Sequence, residues 1–431
     1  MKNKADVLVI GGGAAGLAAA GELTRAGLRT TLLEARDRLG GRIFTRKHSD
    51  YPVELGAEFV HGRPEEIFGL AAAAAVPIMP GEGHFRRKSN GAWAEAGHLM
   101  EEVEALFAKI PGDEPDQSFQ HYLDRSGASD EAKQQAFRYV QGFHAADPSR
   151  ISALSLIRDH QAQEENDGDR QFRLQTGYDH LVRAMAERIE RSCAEVLLNS
   201  IVKEIVWQPG KIAARTADAE FHAERAVITL PLGVLRAGRV AFSPALPEKQ
   251  YAIKYLEMGP VIRVSLCFRD KFWEQQTGMA DLSFLFTDDP QFPTWWTSNP
   301  LPYPILTGWA AGQCAVQLKG KDGQETIHEA LQALARITGL SVASLESRLT
   351  GSYTHDWQAD PFSLGGYSYA AVGGMDAARA LAAPVAETLY FAGEATDFNG
   401  RNGTVHGAVA SGYRAAREVL QSAGIEARRI G

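Results

Sequence analysis

Apolar and polar positions follow a regular order at the amino-terminal end of the chain. Residues 5–10 form a short, mostly apolar run, residues 11–16 are rich in glycine, and residues 17–26 are rich in alanine. Residues 30–34 read T-T-L-L-E, with β-branched and apolar residues before the acid. The order predicts a buried strand, a tight turn, a helix and a second buried strand. A strand–helix–strand unit of this length favours parallel pairing. The predicted fold class is therefore α/β.

The remaining pattern predicts further elements. Helices are predicted at residues 99–109, 130–143, 178–191 and 406–420. Strands are predicted at residues 202–207, 212–216, 221–222, 225–230, 261–268 and 388–391. Residues 284–304, rich in Trp, Phe and Pro, are interpreted as the wall of a cavity or as a packed loop. The acidic run 164–169 is interpreted as a solvated loop, with a funnel for cations as the alternative.

The glycine-rich turn fits the pattern G-x-G-x-x-G through Gly11, Gly13 and Gly16, with Ala15 inside it. Small residues let backbone N–H groups approach a pyrophosphate, and the following helix presents the positive end of its dipole. Glu34 ends the second strand 18 residues after Gly16, where a carboxylate accepts hydrogen bonds from ribose hydroxyls. A surface acid is the alternative role for Glu34. This context predicts a dinucleotide site.

A second pair of glycines favours FAD over NAD as the dinucleotide. In the segment E-A-R-D-R-L-G-G-R, which begins at Glu34 and continues with Ala35, Gly41 lies between Arg36 and Arg42. Additional backbone without side chains lets a bulkier ligand approach. The two arginines can bind a phosphate or contact the flavin ring. Solvated surface charge is the alternative for these arginines.

Composition narrows the possible classes. The 431 residues are 45% hydrophobic and 23% charged, which is enough apolar material for a large core and predicts two domains. The net charge of −8 argues against nucleic-acid binding and is compatible with cationic small substrates. Three scattered cysteines, Cys193, Cys267 and Cys314, disfavour disulfides and metal sites and fit a reducing cytoplasm. We expect a soluble protein without a membrane span, because the apolar stretch 7–20 is too short.

At this point the sequence resembles the flavin-containing amine oxidase family, which includes monoamine oxidases, polyamine oxidases and histone-demethylase relatives. The matching blocks follow the family's order from end to end. They are residues 6–42, with the family's R-x-G-G-R element at 38–42, and residues 54–62, 175–178, 226–235, 263–273, 357–369, 391–394 and 404–408. The resemblance implies a Rossmann-type FAD-binding domain and a discontinuous α+β substrate-binding domain.

The resemblance also implies contacts with FAD. These fall on Gly56, Ala57, Glu58, Phe59, Val202, Trp357, Tyr367, Gly393, Glu394, Thr404, Val405 and Ala408. By resemblance, Val202 meets adenine through its backbone and Glu394 holds the ribityl chain, with a structural carboxylate as the alternative for Glu394. Val405 and Ala408 face the carbonyl groups of the isoalloxazine. Free N–H groups at the start of the last helix would stabilise negative charge on the reduced ring.

The cysteine positions bear on how the flavin is held. Animal monoamine oxidases join their flavin to a cysteine near the segment that is here residues 365–369. This chain has no cysteine after Cys314. The resemblance therefore implies that FAD is bound non-covalently.

The expected reaction moves the equivalent of a hydride from the carbon bearing the amine nitrogen to flavin N5, and O2 is then reduced to H2O2. In this family two side chains flank the amine, often as an aromatic cage. Tyr367 matches one position and Thr404 the other, as in the demethylase relatives, with an ordinary packed tyrosine as the alternative for Tyr367. His61 matches a histidine that borders the channel of polyamine oxidases and would bind or relay a proton. A hydrogen-bonded structural histidine is its alternative.

Arg263 departs from the family pattern. Relatives often place a lysine there, linked through water to flavin N5, whereas arginine stays charged and does not act as a base. Its remaining roles are to hold a water or to favour oxygen reduction electrostatically. It could instead signal slow use of oxygen or a different acceptor.

The predicted domains interleave along the chain. Residues 1–80, 176–248 and 385–431 are assigned to the FAD-binding domain, and residues 81–175 and 249–384 to the substrate domain. Two alternative activities are an L-amino-acid oxidase and a related FAD-dependent desaturase. An alternative of another class is a protein that holds FAD without turnover. The sequence leaves the identity of the amine and the oligomeric state open.

Overall fold

The computed structural model describes residues 5–168, 170–192 and 194–425. Cys193 and Asp169 thus lie outside the described residues. The helices are α1 (Ala14–Arg25), α2 (Glu65–Ala73), α3 (Gly97–Phe107), α4 (Phe119–Arg125), α5 (Asp130–Gly142), α6 (Ala153–Glu164), α7 (Asp179–Glu190), α8 (Leu232–Arg236), α9 (Gln250–Tyr255), α10 (Gln313–Gln317), α11 (Gly323–Thr338), α12 (Val342–Glu346), α13 (Ala377–Ala382) and α14 (Val405–Ser422).

The strands fall into six sheets. They are β1 (Val7–Ile10), β2 (Thr30–Leu33), β3 (Thr45–His48), β4 (Tyr51–Glu54), β5 (Phe59–His61), β6 (Ile78–Pro80), β7 (His84–Ser89), β8 (Ala92–Glu95), β9 (Gln171–Leu174), β10 (Ala194–Leu197), β11 (Glu204–Gln208), β12 (Lys211–Arg215), β13 (Glu220–Ala223), β14 (Arg225–Ile228), β15 (Ala241–Ser243), β16 (Leu256–Gly259), β17 (Val261–Phe268), β18 (Leu282–Thr287), β19 (Thr294–Thr297), β20 (Ile305–Ala311), β21 (Leu349–Asp356), β22 (Tyr367–Ala370) and β23 (Leu389–Phe391).

A five-stranded parallel sheet carries the amino-terminal unit. Its strand order is β10-β2-β1-β14-β23, and every neighbouring pair is parallel. Strands β1 (V-L-V-I) and β2 (T-T-L-L) are buried at every position, as expected for inner strands of a parallel sheet that is covered on both faces. Helix α14 packs on α1 at close range, since a Cβ on Gly412 would lie 2.3 Å from the Ala15 carbonyl oxygen. The predicted α/β fold class is confirmed.

A seven-stranded sheet forms the second large layer, in the order β21-β17-β20-β19-β18-β7-β8. One of its faces packs on α11, where Val264, Leu285 and Trp295 join Leu331 in a buried cluster. The other face carries Arg263 and lies beside the Gly56 loop, because Arg263 donates to the Gly56 carbonyl at 3.1 Å. This second face therefore borders the predicted flavin contacts.

The predicted domain division stays a prediction, although the sheets relate to it. All strands of the parallel sheet fall in the segments assigned to FAD binding, and all strands of the seven-stranded sheet fall in the other segments. The three-stranded sheet β5-β9-β6 crosses the division, because its central strand comes from the segment 81–175.

Several predicted elements differ from the structure. Helix α1 begins at Ala14, inside the glycine-rich turn, three residues before the predicted start. The packed-loop interpretation of residues 284–304 is wrong for Thr294–Thr297, which is a strand, and β18 covers the first residues of that segment. Glu164 ends α6, and residues 165–168 form the turn that the acidic run predicts.

Candidate active site

The glycine-rich turn lies between β1 and α1. Gly11 has φ +111°, and a Cβ there would lie 2.4 Å from Thr229 Oγ1. A Cβ on Gly16 would lie 1.9 Å from the Gly11 carbonyl oxygen, so neither position tolerates a side chain. A Cβ added to Gly13 would have the Gly41 Cα as its nearest neighbour, at 4.0 Å. The first turn of α1 has no side-chain cap and no acidic residue. Its free N–H groups are thus open to a phosphate, and the contact with a pyrophosphate stays a prediction.

Glu34 lies at the carboxyl end of β2 beside this turn. It is 5% exposed, and its two carboxylate oxygens accept the N–H groups of Gly12 at 2.6 Å and Arg36 at 2.9 Å. Burial raises its pKa, against the lowering effect of these hydrogen bonds. Ala35 follows, half-buried. The structure places this carboxylate inside the site rather than on the surface, which disfavours the surface-acid alternative.

The Arg36 side chain has a protein partner. Its guanidinium makes two hydrogen bonds of 2.8 Å with the Asp360 carboxylate, and a third with Ser363 at 3.1 Å. The Asp360 side chain is 3% exposed. Neither solvated charge nor a free phosphate ligand describes this arginine, whose charge is balanced by a buried carboxylate.

The segment that contains Val202 runs alongside Glu34. The N–H groups of Asn199 and Ser200 donate to the carbonyl groups of Arg36 and Glu34, both at 2.8 Å. Val202 itself is 5% exposed and packs in the apolar cluster below the parallel sheet. The contact between its backbone and adenine stays a prediction, and its position next to Glu34 is compatible with it.

Arg42 joins two parts of the predicted flavin site. Its Nη1 donates to the Gly366 carbonyl and to Glu394 Oε1, both at 2.8 Å. Glu394 is 4% exposed and also accepts Ser368 Oγ at 2.6 Å and the Gly403 N–H at 2.8 Å. Burial would raise its pKa, but Arg42 and these donors lower it overall, so the group is ionised. Its hydrogen bonds within the described chain favour the structural alternative, and the ribityl contact stays a prediction.

The loop from Gly56 to Phe59 is fixed against Arg42. A Cβ on Gly56 would lie 1.9 Å from the Arg42 carbonyl oxygen, and the Ala57 N–H donates to the same oxygen at 3.1 Å. Trp357 packs against the same loop. Its indole N–H donates to the Leu55 carbonyl at 2.8 Å, and its ring would lie 3.0 Å from a Cβ on Gly56. These residues, predicted as separate flavin contacts, form one packed unit.

The two predicted cage residues lie close together. The Tyr367 ring would lie 3.2 Å from a Cβ on Gly403, the residue before Thr404. The Tyr367 hydroxyl donates to the Phe143 carbonyl at 2.5 Å, and burial raises its pKa. Thr404 is the N-cap of α14: its hydroxyl accepts the Gly407 N–H at 3.0 Å and donates to the Arg401 carbonyl at 2.6 Å. Both hydroxyls are therefore occupied, which leaves the tyrosine ring and the threonine methyl to face a ligand.

The start of α14 offers free groups to a cofactor. Ala408 donates its N–H to the Thr404 carbonyl at 3.1 Å, so that of the two predicted donors Val405 is the one at the open end of the helix. Asn402 donates through Nδ2 to the Ser368 carbonyl, while its buried Oδ1 has no hydrogen-bond partner in the described chain. Gly393 has φ +126°, with no atom within 4 Å of a Cβ. A buried free acceptor, a helix N-terminus and open backbone fit the donor and acceptor pattern of a flavin.

A buried charge cluster surrounds Glu58. Its carboxylate binds the guanidinium groups of both Arg173 and Arg263, and it accepts the Trp296 indole N–H at 3.0 Å. Burial lowers the pKa of each arginine to about 9, so both stay protonated at neutral pH. Together with Glu54, whose pKa burial raises to about 7, they border a cavity of about 30 Å³. At pH 7 the two guanidinium charges exceed the full negative charge of Glu58 and the half charge of Glu54, so the cluster has a small net positive charge.

The sequence indicated part of this cluster. Arg263 was expected beside the flavin, but Glu58 was predicted as a cofactor contact, and Arg173 was not predicted at all. Arg173 lies in β9 between the buried Phe172 and Leu174, a charge inside an apolar strand that could have signalled a buried pair. Both arginines share the single carboxylate of Glu58, and the L-amino-acid oxidase alternative stays open.

His61 lies on β5 in aromatic surroundings. Its ring centroid is 5.6 Å from that of Phe143 and 6.0 Å from that of Phe59. Burial lowers its pKa to about 4, and that of its neighbour His406 to about 3. His61 is therefore neutral at pH 7, which argues against a relay that needs the protonated ring at that pH.

The described residues contain neither a candidate membrane span nor a candidate metal cluster. No helix among residues 5–425 outside the gaps at 169 and 193 is long and apolar enough to cross a membrane. In the same residues no group of three His, Cys, Asp or Glu side chains could hold a metal ion. Cys267 and Cys314 are free thiols, and burial raises the pKa of Cys267 to about 12.

The comparison with protein families decides the assignment. The family model described as "Flavin containing amine oxidoreductase" matches residues 14–420. The chain belongs to this family. It is a flavin-dependent oxidoreductase that acts on amines, as the resemblance implied.

Individual relatives of this amine oxidase are distant. Polyamine oxidase 4 of Oryza sativa subsp. japonica is 29% identical, with 96% of this chain and 88% of the relative covered. Lysine-specific histone demethylase 1 homolog 3 of Arabidopsis thaliana is 27% identical over 96% of this chain, which spans 30% of the relative's length. A solved structure of wild-type putrescine oxidase bound to putrescine has a TM-score of 0.81 at 22% identity, with 97% of this chain and 99% of that chain covered. The last comparison shows a shared fold.

Proposed function

We propose that this amine oxidase binds FAD non-covalently and oxidises an amine to an imine, with O2 as the electron acceptor. The observation that carries the cofactor assignment is the pairing of the open α1 N-terminus with the buried Glu34 carboxylate. A pyrophosphate and a ribose need these two groups at this spacing. The second diglycine and the α14 N-terminus extend the site for the flavin half.

Non-covalent attachment is supported by the cysteine positions. The segment that resembles the attachment site of animal monoamine oxidases contains Gly365, Gly366 and Tyr367 but no cysteine, and no cysteine follows Cys314 in the chain. We therefore expect denaturation to release the cofactor.

The residues of the site would contribute positioning and electrostatics. When bound, FAD supplies the acceptor for a hydride equivalent. Tyr367 and Thr404 would hold the amine nitrogen between a ring face and a methyl group, with their hydroxyls tied to the protein. The neutral His61 would exclude bulk water beside Phe143 without adding charge. The Val405 N–H at the α14 start would stabilise negative charge on the reduced cofactor.

Support for O2 as the acceptor comes from the Glu58 cluster. Oxygen reduction begins with transfer of an electron that places negative charge on O2, and fixed positive charge nearby stabilises it. Arg173 and Arg263 provide two such charges next to the Gly56 loop, against the full charge of Glu58 and the partial charge of Glu54. These arginines keep their charge at neutral pH, so the stabilisation requires no proton.

A screen of mono-, di- and polyamines with peroxide detection tests the proposal. Formation of H2O2 with at least one amine, together with anaerobic bleaching of the flavin by the same amine, is the expected result. Bleaching without peroxide would exclude O2 as the acceptor and retain amine oxidation. No bleaching by any amine would support the alternative in which FAD is held without turnover.

A further inference from the structure

The second face of the seven-stranded sheet carries a continuous band of aromatic rings. We call it the aromatic face, and it consists of Phe85, Phe284, Phe286, Trp296 and Trp309. Residues that lie directly opposite each other on neighbouring strands project to the same side of a sheet. Phe284 lies opposite Phe85 on one neighbouring strand and opposite Trp296 on the other. In the same way, Trp309 lies opposite Arg263. The ring centroids of Phe85 and Phe284 are 5.2 Å apart, and those of Trp296 and Trp309 are 5.6 Å apart.

The aromatic face continues the predicted flavin contacts. Phe59, which ends the Gly56 loop, lies 5.5 Å from Trp296 and 5.4 Å from Phe284 between ring centroids. At the other end of the aromatic face, Trp309 donates its indole N–H to the Gly142 carbonyl at 2.9 Å. The next residue, Phe143, accepts the Tyr367 hydroxyl. All rings of the aromatic face except Trp296 are only partly buried. A ligand whose nitrogen lies between Tyr367 and Thr404 would therefore extend its body over these rings.

The charges along this route are already paired. Glu58 binds two arginines, Asp288 accepts Arg138 Nη1 at 2.5 Å, and Glu131 accepts Arg87 Nη1 at 3.1 Å. A second ammonium group on a substrate would find no unpaired carboxylate among these three. It would also meet the net positive charge of the Glu58 cluster.

Two of the rings along this route already hold cations of the protein. The Arg173 guanidinium carbon lies 4.4 Å from the Phe59 ring centroid, and that of Arg263 lies 5.3 Å from the Trp296 ring. These two rings are the ones nearest the Gly56 loop. Cation–π attraction there is satisfied by the protein itself. On Phe59 and Trp296 a ligand therefore meets rings that already hold a guanidinium group of the protein.

From this arrangement we infer that the substrate is a monoamine with an apolar, preferably aromatic, body that lies along the aromatic face, and that diamines and polyamines are poor substrates. The inference rests on the proposed function. It names the class of amine that the proposed oxidation acts on.

A matched pair of amines tests the inference in the intact flavoprotein. Hexylamine and 1,6-diaminohexane have the same chain and differ in one terminal ammonium group, and 2-phenylethylamine adds a ring. The rate constant of anaerobic flavin reduction divided by the dissociation constant is measured for each. We expect it to be at least about 100-fold larger for both monoamines than for the diamine, the penalty of one buried ammonium without a counter-charge. Equal or faster reduction by the diamine, or reduction by spermidine alone, would overturn the inference and leave amine oxidation intact. A flavoprotein that no amine reduces would overturn the proposed function.

A pair of variants tests the placement of the ligand. Phe284→Leu removes one ring of the aromatic face. We expect it to lower the ratio of reduction rate constant to dissociation constant for 2-phenylethylamine by about three- to tenfold, which is the contribution of one aromatic contact. The value for hexylamine should change less than about twofold. Phe268→Leu makes the same change in the cluster under α11 and should leave the ratio of the two amines unaltered. An unchanged ratio in Phe284→Leu would contradict the placement.

Discussion

Arg263→Met removes one of the two buried positive charges beside the Gly56 loop. The methionine side chain fills a similar volume, and Glu58 keeps Arg173 and the Trp296 indole as partners, so the carboxylate is not left unpaired. A unit charge about 6 Å from a developing negative charge contributes about 3 kcal/mol at an effective dielectric constant of about 20. The charge of Glu58 is present in both proteins and cancels in the comparison. The variant therefore loses the full contribution of about 3 kcal/mol, which corresponds to about 100-fold in rate.

The two half-reactions separate the possible roles of Arg263. Stopped-flow absorbance gives the rate of anaerobic reduction by an amine and the rate of reoxidation when the reduced protein is mixed with O2. We expect Arg263→Met to slow reoxidation about 100-fold and to change reduction by less than about threefold. Arg263→Lys, which keeps the charge, is the control and should remain within about threefold of the original chain in both steps. Equal slowing of both steps by the methionine variant, or no slowing, would refute the electrostatic role.

Two further predictions concern the fold. Gly16→Ala places a Cβ 1.9 Å from the Gly11 carbonyl oxygen and should abolish flavin binding. Gly21→Ala in the same helix is the control: its Cβ would have no described atom within 4 Å, so this variant should retain full flavin absorbance per chain. Equal flavin content in both variants would contradict the steric argument. Burial lowers the pKa of His144 to about 4, below its unfolded value of about 6.5, so its contribution is present above pH about 6.5 and is lost as the pH falls towards 4. Chemical denaturation of the original chain and of His144→Gln isolates this histidine from Glu54 and Asp159, which titrate in the same range. The difference in unfolding free energy between the two proteins should change by about 2–3 kcal/mol between pH 7.5 and 4.5. A difference that stays constant with pH would disprove the assignment.

Local pattern was sufficient where one strand or turn decides the structure. Strand β17 begins and ends at the predicted residues. Its β-branched residues and its length of eight lie between a glycine–proline pair and a charged segment, which favours a strand. The glycine turn and Glu34 were likewise predictable, since their chemistry is contained in about thirty residues.

Long-range pairing could not be predicted. The partner of Arg36 is Asp360, 324 positions away, and that of Arg263 is Glu58, 205 positions away. Strands β18 and β19 were hidden because prolines interrupt residues 284–304, and β19 has only four residues. The aromatic face was therefore invisible as well, since it depends on the register between these strands and β7 and β20.

The most direct test of the central claim is the identity and stoichiometry of the bound cofactor. The purified chain is denatured and filtered, and the filtrate is analysed by chromatography with absorbance at the flavin wavelengths. We expect about one FAD per chain in the filtrate and none with the precipitate. A colourless protein that takes up no added FAD would contradict the dinucleotide site, and flavin retained by the precipitate would contradict non-covalent binding.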